Sequence, residues 1–122
     1  MRVLGVMKNL VVTGAGGYIG GVLVEEALKR GYKVKAIDRF FFGEDVFAEM
    51  LRNRQLRVIR RDIRDIEPFD LCGADAVLDL AALSNDPVGE LDPGLTRSIN
   101  CDGRINVLRC AREAGVPRYV LA

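Results

Sequence analysis

The sequence predicts an α/β fold, a doubly wound parallel sheet in a single domain. Three observations carry this. Short apolar runs alternate with stretches of helical spacing along all 122 residues. Glycine, proline or aspartate punctuates the change from one to the other. The order that results is strand, helix, strand, helix, strand, connection, strand, helix, strand. Right-handed crossovers between parallel strands then cover both sheet faces and give the strand order 3-2-1-4-5.

Each element has its own signal. Lys8–Val12 is a short apolar run entering a glycine cluster, the first strand. Ile19, Val22, Leu23 and Ala27 recur at helical spacing, and Gly31 stands where a left-handed C-cap closes that helix. Lys33–Ile37 reads as the second strand. Glu44 and Asp45 suit the positive end of a second helix, whose buried stripe is Val46, Phe47, Met50 and Leu51. Leu56–Arg60 is a third strand, and its alternating arginines fit a sheet edge. Ala76–Leu80 is a fourth. Asp92-Pro93 caps and opens a helix that runs to about Ala114, where Gly115 and Pro117 stop it. Arg118–Ala122 begins a fifth strand. Met1–Val6 is read as an extension outside the fold, with Met7 as a second possible start.

Composition excludes several function classes. Apolar residues at 49%, charged residues at 29% and a formal charge of +1 describe a soluble globular chain without a global basic field. Arg52, Arg54, Arg57, Arg60, Arg61 and Arg64 are interrupted by Asp62 and Asp65 and lack interleaved aromatics, so they read as a solvated edge rather than a nucleic-acid surface. No apolar run approaches the ~18 residues of a membrane span, and the N-terminal residues lack a secretory h-region, so a cytoplasmic location is expected. The chain has no histidine, which removes Ser-His and Cys-His nucleophile pairs. Cys72, Cys101 and Cys110 lack metal-ligand spacing and read as reduced core thiols.

The chemistry concentrates where the first strand meets the first helix, in Thr13-Gly14-Ala15-Gly16-Gly17-Tyr18-Ile19-Gly20. A glycine string is informative in that context. Gly14 permits the tight turn, Gly17 lets a pyrophosphate approach the backbone, and Gly20 brings helix and strand together. The helix N-terminus favours the anion. This is the Rossmann-type arrangement. Asp38 ends the second strand, where its carboxylate accepts hydrogen bonds from ribose hydroxyls and favours NAD over NADP; the adjacent Arg39 leaves NADP open. Asp62 and Ile63 follow the third strand on the ligand-binding rim, where a salt-bridged turn and an adenine contact are both open readings. Phe40, Phe41 and Phe42 line the adenine pocket or cap the core. Asn100 falls, at 100° per residue, on the face of Gly103, Val107, Ala111 and Ala114, so its amide either braces the fourth strand or shapes the cleft.

Together these residues resemble the extended short-chain dehydrogenase/reductase family, the NAD-dependent nucleotide-sugar epimerases and dehydratases. The glycine string looks like that family's TGxxGxxG, Asp38-Arg39 like its ribose-binding acid, and Arg61-Asp62-Ile63-Arg64-Asp65 like its adenine-binding turn. Leu80-Ala81-Ala82-Leu83-Ser84 is similar to the segment beneath the cofactor, and Asn100 matches an asparagine of the following helix. The resemblance implies a cofactor set of Gly14, Gly16, Gly17, Tyr18, Ile19, Gly20, Asp38, Arg39, Asp62, Ile63, Leu80, Ala81, Ala82, Ser84 and Asn100. It also implies NAD as cofactor, a nucleotide sugar as substrate and a homodimer as candidate assembly.

In that family a Ser or Thr and a Tyr-x-x-x-Lys pair follow the fifth strand. Tyr18, Tyr32 and Tyr119 have no lysine four residues on, so no catalytic residue is assigned here. Residues 1–122 are therefore read as one incomplete NAD(P)-binding domain, lacking the later strands, that binds without turnover. The competing reading is a non-catalytic dinucleotide-binding redox sensor or a decayed gene product.

Overall fold

The computed structural model describes residues 8–39, 50, 52–81, 94 and 98–122. Five strands, β1 (Asn9–Thr13), β2 (Lys33–Asp38), β3 (Leu56–Arg60), β4 (Ala76–Asp79) and β5 (Arg118–Leu121), form one parallel sheet in the order β3-β2-β1-β4-β5. This is the expected order, with β3 at one edge and β5 at the other.

The alternation of side chains along parallel strands divides the core in two. Leu10, Val12, Val34, Ala36 and Ala76 face helix α1 (Tyr18–Lys29), which contributes Val24 and Ala27. Val11, Ile37 and Val77 face helix α2 (Arg104–Glu113), which contributes Val107, Cys110 and Ala111. Between β3 and β4, two 3₁₀ turns, Ile63–Asp65 and Pro68–Leu71, add Ile63, Ile66 and Leu71 to this second cluster.

The buried face of α1 is not the expected stripe. Ile19 and Val22 are 69% and 55% exposed, and the sheet side is Gly20, Gly21, Val24 and Ala27. Close approach explains the rotation. A Cβ on Gly20 would lie 2.2 Å from the Gly14 carbonyl oxygen and 2.8 Å from Ala15 Cα, so the first turn of the helix closes on the loop after β1 only because it has glycine there.

The helix before β5 also departs from a uniform 3.6-residue winding. Ser98–Gly103 is a π-type turn, and α2 begins only at Arg104. Its end is where the sequence placed it, at Ala114, with Gly115 at φ 74°. Of the three cysteines only Cys110 is a core thiol; Cys72 and Cys101 are exposed. The expected helix at Glu44–Leu51 (Met50 apart), Phe40–Phe42, the Asp92-Pro93 cap and Met1–Val6 lie outside the described residues. No described helix is long and apolar enough to cross a membrane.

Candidate functional site

In a parallel sheet every strand ends on the same edge, and here that edge gathers the residues singled out above. The glycine loop follows β1, Asp38 ends β2, Asp62 follows β3, and Leu80-Ala81 follow β4. Between β1 and β4 the chain reverses its direction of sheet growth, leaving a crevice at the strand ends.

The glycines divide by what demands them. Gly14 has φ +69°, and a Cβ there would meet the Leu80 carbonyl carbon at 2.5 Å and the Ala81 nitrogen at 2.6 Å. Gly14 and Gly20 are thus required by the fold. Gly17 is not: it is the α1 N-cap at φ −77°, and a Cβ would touch only the Gly14 oxygen, at an ordinary 3.4 Å. It makes no side-chain cap hydrogen bond. Tyr18 and Ile19 stand exposed beside it, at 89% and 69%.

Asp38 is anchored to this loop, because its Oδ2 accepts the Gly16 N–H at 3.0 Å. The neighbouring Arg39 places its Nε 3.4 Å from Asp62 Oδ2, linking the ends of β2 and β3. Asp62 caps the first 3₁₀ turn by accepting the Arg64 N–H at 2.9 Å, and the Arg64 guanidinium closes on both of its oxygens at 3.0 and 2.6 Å. The Arg64 side chain, aided by its N–H and by Arg39, holds the Asp62 carboxyl below the usual carboxylate range. The salt-bridged turn is therefore present.

The Ile63 side chain packs into the core. It is buried, and its Cδ1 lies where a Cβ on Gly103 would be, at 2.6 Å. Gly103 thus lets α2 close on the turn. Asn106 completes the contact: its Nδ2 donates to the carbonyls of Ile63 (2.9 Å), Arg64 (3.3 Å) and Ile66 (2.9 Å), while its Oδ1 accepts from Arg109 at 2.7 Å. Sequence reasoning singled out Asn100, not Asn106. The signal available was a polar residue one position before the buried Val107.

A second group was also missed. Asp79, at the end of β4, is fully buried and accepts Thr13 Oγ1 from β1 at 2.6 Å and the Tyr119 hydroxyl from β5. Burial and this carboxylate push the Tyr119 phenol well above its usual range, and its hydroxyl is held as a donor to Asp79. Arg104 reaches over the same edge, donating through Nε to the Ala81 carbonyl at 3.3 Å and through Nη2 to the Ala122 carbonyl at 2.7 Å. Three strand ends and α2 are thereby tied together beneath the crevice.

Gly14, Gly16, Gly17, Tyr18, Ile19, Gly20, Asp38, Arg39, Asp62, Leu80 and Ala81 come together at this edge. Ala82 and Ser84 lie outside the described residues, as does the Asn100 side chain. The 100° relation between Asn100 and Gly103 does not survive the π-type turn that contains both.

The model of the NAD dependent epimerase/dehydratase family matches residues 10–122. Among curated proteins, the chain is 32% identical over 114 residues to UDP-glucuronic acid decarboxylase 1 of Arabidopsis thaliana, covering 93% of this chain and 25% of that one. It spans about a quarter of the length of the curated relatives it matches. Among solved structures, it is similar to dTDP-glucose 4,6-dehydratase from Streptomyces venezuelae with NAD and TYD bound. The TM-score is 0.84 at 29% identity, over 91% of this chain and 38% of that one. It is also similar to UDP-glucose-4-epimerase from Stenotrophomonas maltophila with bound NAD and formylated UDP-arabinopyranose. There the TM-score is 0.85 at 28% identity, over 93% and 36% of the two chains.

Proposed function

Since the chain belongs to the NAD-dependent epimerase/dehydratase family, we infer that it is the dinucleotide-binding part of an oxidoreductase acting on nucleotide sugars. Gly17 carries the reading. The fold itself does not need glycine there, at φ −77° with only an ordinary contact at its Cβ position. A glycine is explained if the pyrophosphate of NAD lies against that backbone at the uncapped N-terminus of α1. When bound, NAD would supply the acceptor for the hydride that leaves a sugar carbon as the hydroxyl on that carbon gives up its proton.

This chain's residues would bind and orient. Gly16 and Gly17 present backbone to the pyrophosphate, with Tyr18 and Ile19 at the mouth of the loop. Asp38, held by the Gly16 N–H, accepts from the ribose hydroxyls, and its charge disfavours a 2′-phosphate. Asp62 borders the adenine end beside Arg39, and Leu80-Ala81 underlie the cofactor with Ala82 and Ser84 beyond them. We assign no catalytic residue within residues 1–122, which form one NAD-binding domain. The Tyr119 hydroxyl is committed to Asp79. The substrate reading, epimerisation or dehydration of a nucleotide sugar, rests on the relatives. A homodimer and a cytoplasmic location belong to the same reading and are checked by light scattering and fractionation.

Calorimetric titration with NAD and NADP, on the parent chain and on Asp38→Ala, tests the site. Saturable NAD binding stronger than NADP binding, with the difference reduced in the variant, is expected. Equal weak binding of both by both proteins would overturn the assignment.

A further inference from the structure

The opposite edge of the sheet, where the strands begin, carries a second cleft with a different character. It encloses about 270 Å³ beneath the 72–74 turn, and Asn9, Lys33, Lys35, Arg54, Gln55 and Arg57 supply its polar lining. Four of these six side chains are cationic and none is acidic. It is separated from the dinucleotide edge by the length of the strands, since Asn9 and Lys33 open β1 and β2 whereas Gly14 and Asp38 close or follow them.

The register makes the clustering costly. Lys35 and Arg57 are direct cross-strand partners in the β2–β3 pair, and like charges in that relation repel. Lys33 is two residues along the same strand and so points to the same face. Among the described residues Asp70 compensates only in part, its charge favouring the Lys35 ammonium less than burial and Arg57 disfavour it. Asp70 takes Arg61 on both carboxylate oxygens at 2.6 Å, and only its backbone carbonyl receives Lys35 Nζ, at 2.7 Å. Asp75 Oδ2 accepts the N–H groups of Lys8 and Asn9 at 2.9 Å. Among the described residues, Lys33, Arg54 and Arg57 have no hydrogen-bonding or ion-pairing side-chain partner. Burial, and then the charge of Arg57, push the Lys35 ammonium below its usual range. A strand pair does not ordinarily place a like-charge pair that is only partly compensated inside a concave surface.

We propose that this cleft is a second anion site, which takes a small phosphate-bearing polyanion between Lys35 and Arg57, with Lys33 and Arg54 at its mouth. An ammonium and a guanidinium held side by side are suited to separate phosphate groups of one ligand. The Asn9 and Gln55 amides add neutral donors. A ligand here would offset the repulsion between β2 and β3 without touching the glycine loop.

Inorganic pyrophosphate is the probe, titrated calorimetrically into the full chain at fixed ionic strength with NAD present at saturation, and with sulfate as a control. Saturable binding that persists under NAD, exceeds that of sulfate and weakens at least tenfold in Lys35→Met and in Arg57→Gln is expected. The same variants, free of ligand, should melt no lower than the parent, because each relieves the like-charge pair. Should either fail to fold, Lys33→Gln, an exposed change, should still weaken binding several-fold. Binding that NAD displaces, binding unchanged in the variants, or no binding beyond sulfate would overturn the proposal. If NAD itself does not bind, the dinucleotide reading fails, while the lysine and arginine variants still decide this site.

Discussion

Thr13 and Asp79 are direct partners in the β1–β4 register, both fully buried, and the threonine hydroxyl donates to the carboxylate at 2.6 Å. The other carboxylate oxygen accepts from Tyr119 of β5. A buried carboxylate is tolerated when its lone pairs are met, and here one donor comes from each neighbouring strand. Replacing Asp79 with Leu strands two hydroxyls and should cost about 2–5 kcal/mol. Asp79→Asn should cost less, because one hydroxyl can still donate to the amide oxygen while the other turns to accept from the amide N–H. Urea unfolding measures both.

Tyr119→Phe removes one charge-assisted donor, for an expected loss of about 1.5–3 kcal/mol near neutrality. The pH dependence has a definite sign. Folding raises the phenol above its ordinary value of 10.0, so the protonated form is favoured in the native state. That contribution is complete below pH 10 and declines as pH rises further, because the unfolded chain then binds fewer protons than the folded one. Parent and variant should therefore converge in stability above pH 10, as seen in unfolding midpoints taken from pH 8 to 11.

The two kinds of glycine in the loop should separate experimentally. Gly14→Ala strains a backbone at φ +69° and drives a methyl to within 2.5 Å of the Leu80 carbonyl carbon, so it should destabilise by more than about 3 kcal/mol. Gly17→Ala should cost about 1 kcal/mol or less, the expense of a poorer N-cap. Yet it should weaken NAD binding at least tenfold. Melting temperature and calorimetric affinity, measured on the same samples, distinguish a glycine needed for folding from one needed for a ligand.

Asn106→Leu withdraws a donor from three carbonyls of the Ile63–Ile66 segment and should cost about 1–3 kcal/mol. Asn106→Asp should be worse although it is nearly isosteric, since a carboxylate would face those carbonyls without a hydrogen to offer. If the turn shapes the adenine end of the site, both variants should also weaken NAD binding. Restoration of both stability and affinity by Gln at this position would argue for the amide itself rather than for side-chain volume.

What could be read in advance follows physical range. The strand order was accessible because alternation of strand and helix, with crossover handedness, leaves few topologies. Gly14, Gly20 and Asp38 were accessible because each is governed by neighbours close along the chain or by the end of its strand. Asp79 was not: its partners Thr13 and Tyr119 are 66 and 40 residues away, and a strand aspartate announces neither burial nor partners. Asn106 was overlooked for the same reason, since its acceptors lie at least 40 residues earlier. The outward turn of Ile19 and Val22 reflects a local rule overridden. Glycine at 20 lets the first turn of the helix close on the Gly14–Ala15 loop, and the buried face then runs through Gly20, Gly21, Val24 and Ala27. The exposed Cys72 and Cys101 show that average burial of cysteine does not decide individual positions.

Arg64 and Asp62 offer the sharpest test of the adenine end. The Asp62 carboxylate is held by Arg64 and lies near Arg39, and it belongs to a turn fastened to α2 by Asn106. If the carboxylate only stabilises its turn, Arg64→Ala and Asp62→Ala should both destabilise slightly and leave NAD affinity alone. If it also receives the adenine amino group, the variants diverge. Asp62→Ala should weaken NAD binding about tenfold, equivalent to ~1.4 kcal/mol, whereas Arg64→Ala should leave binding equal or tighter by freeing an acceptor. Acid titration adds an independent sign. Folding lowers the Asp62 value below its ordinary 3.8, so its contribution to stability is present above pH 3.8 and is lost as pH falls further. Asp62→Asn should remove that acid-side loss, and calorimetry at neutral pH with unfolding curves below pH 5 would reveal both effects in one pair of variants.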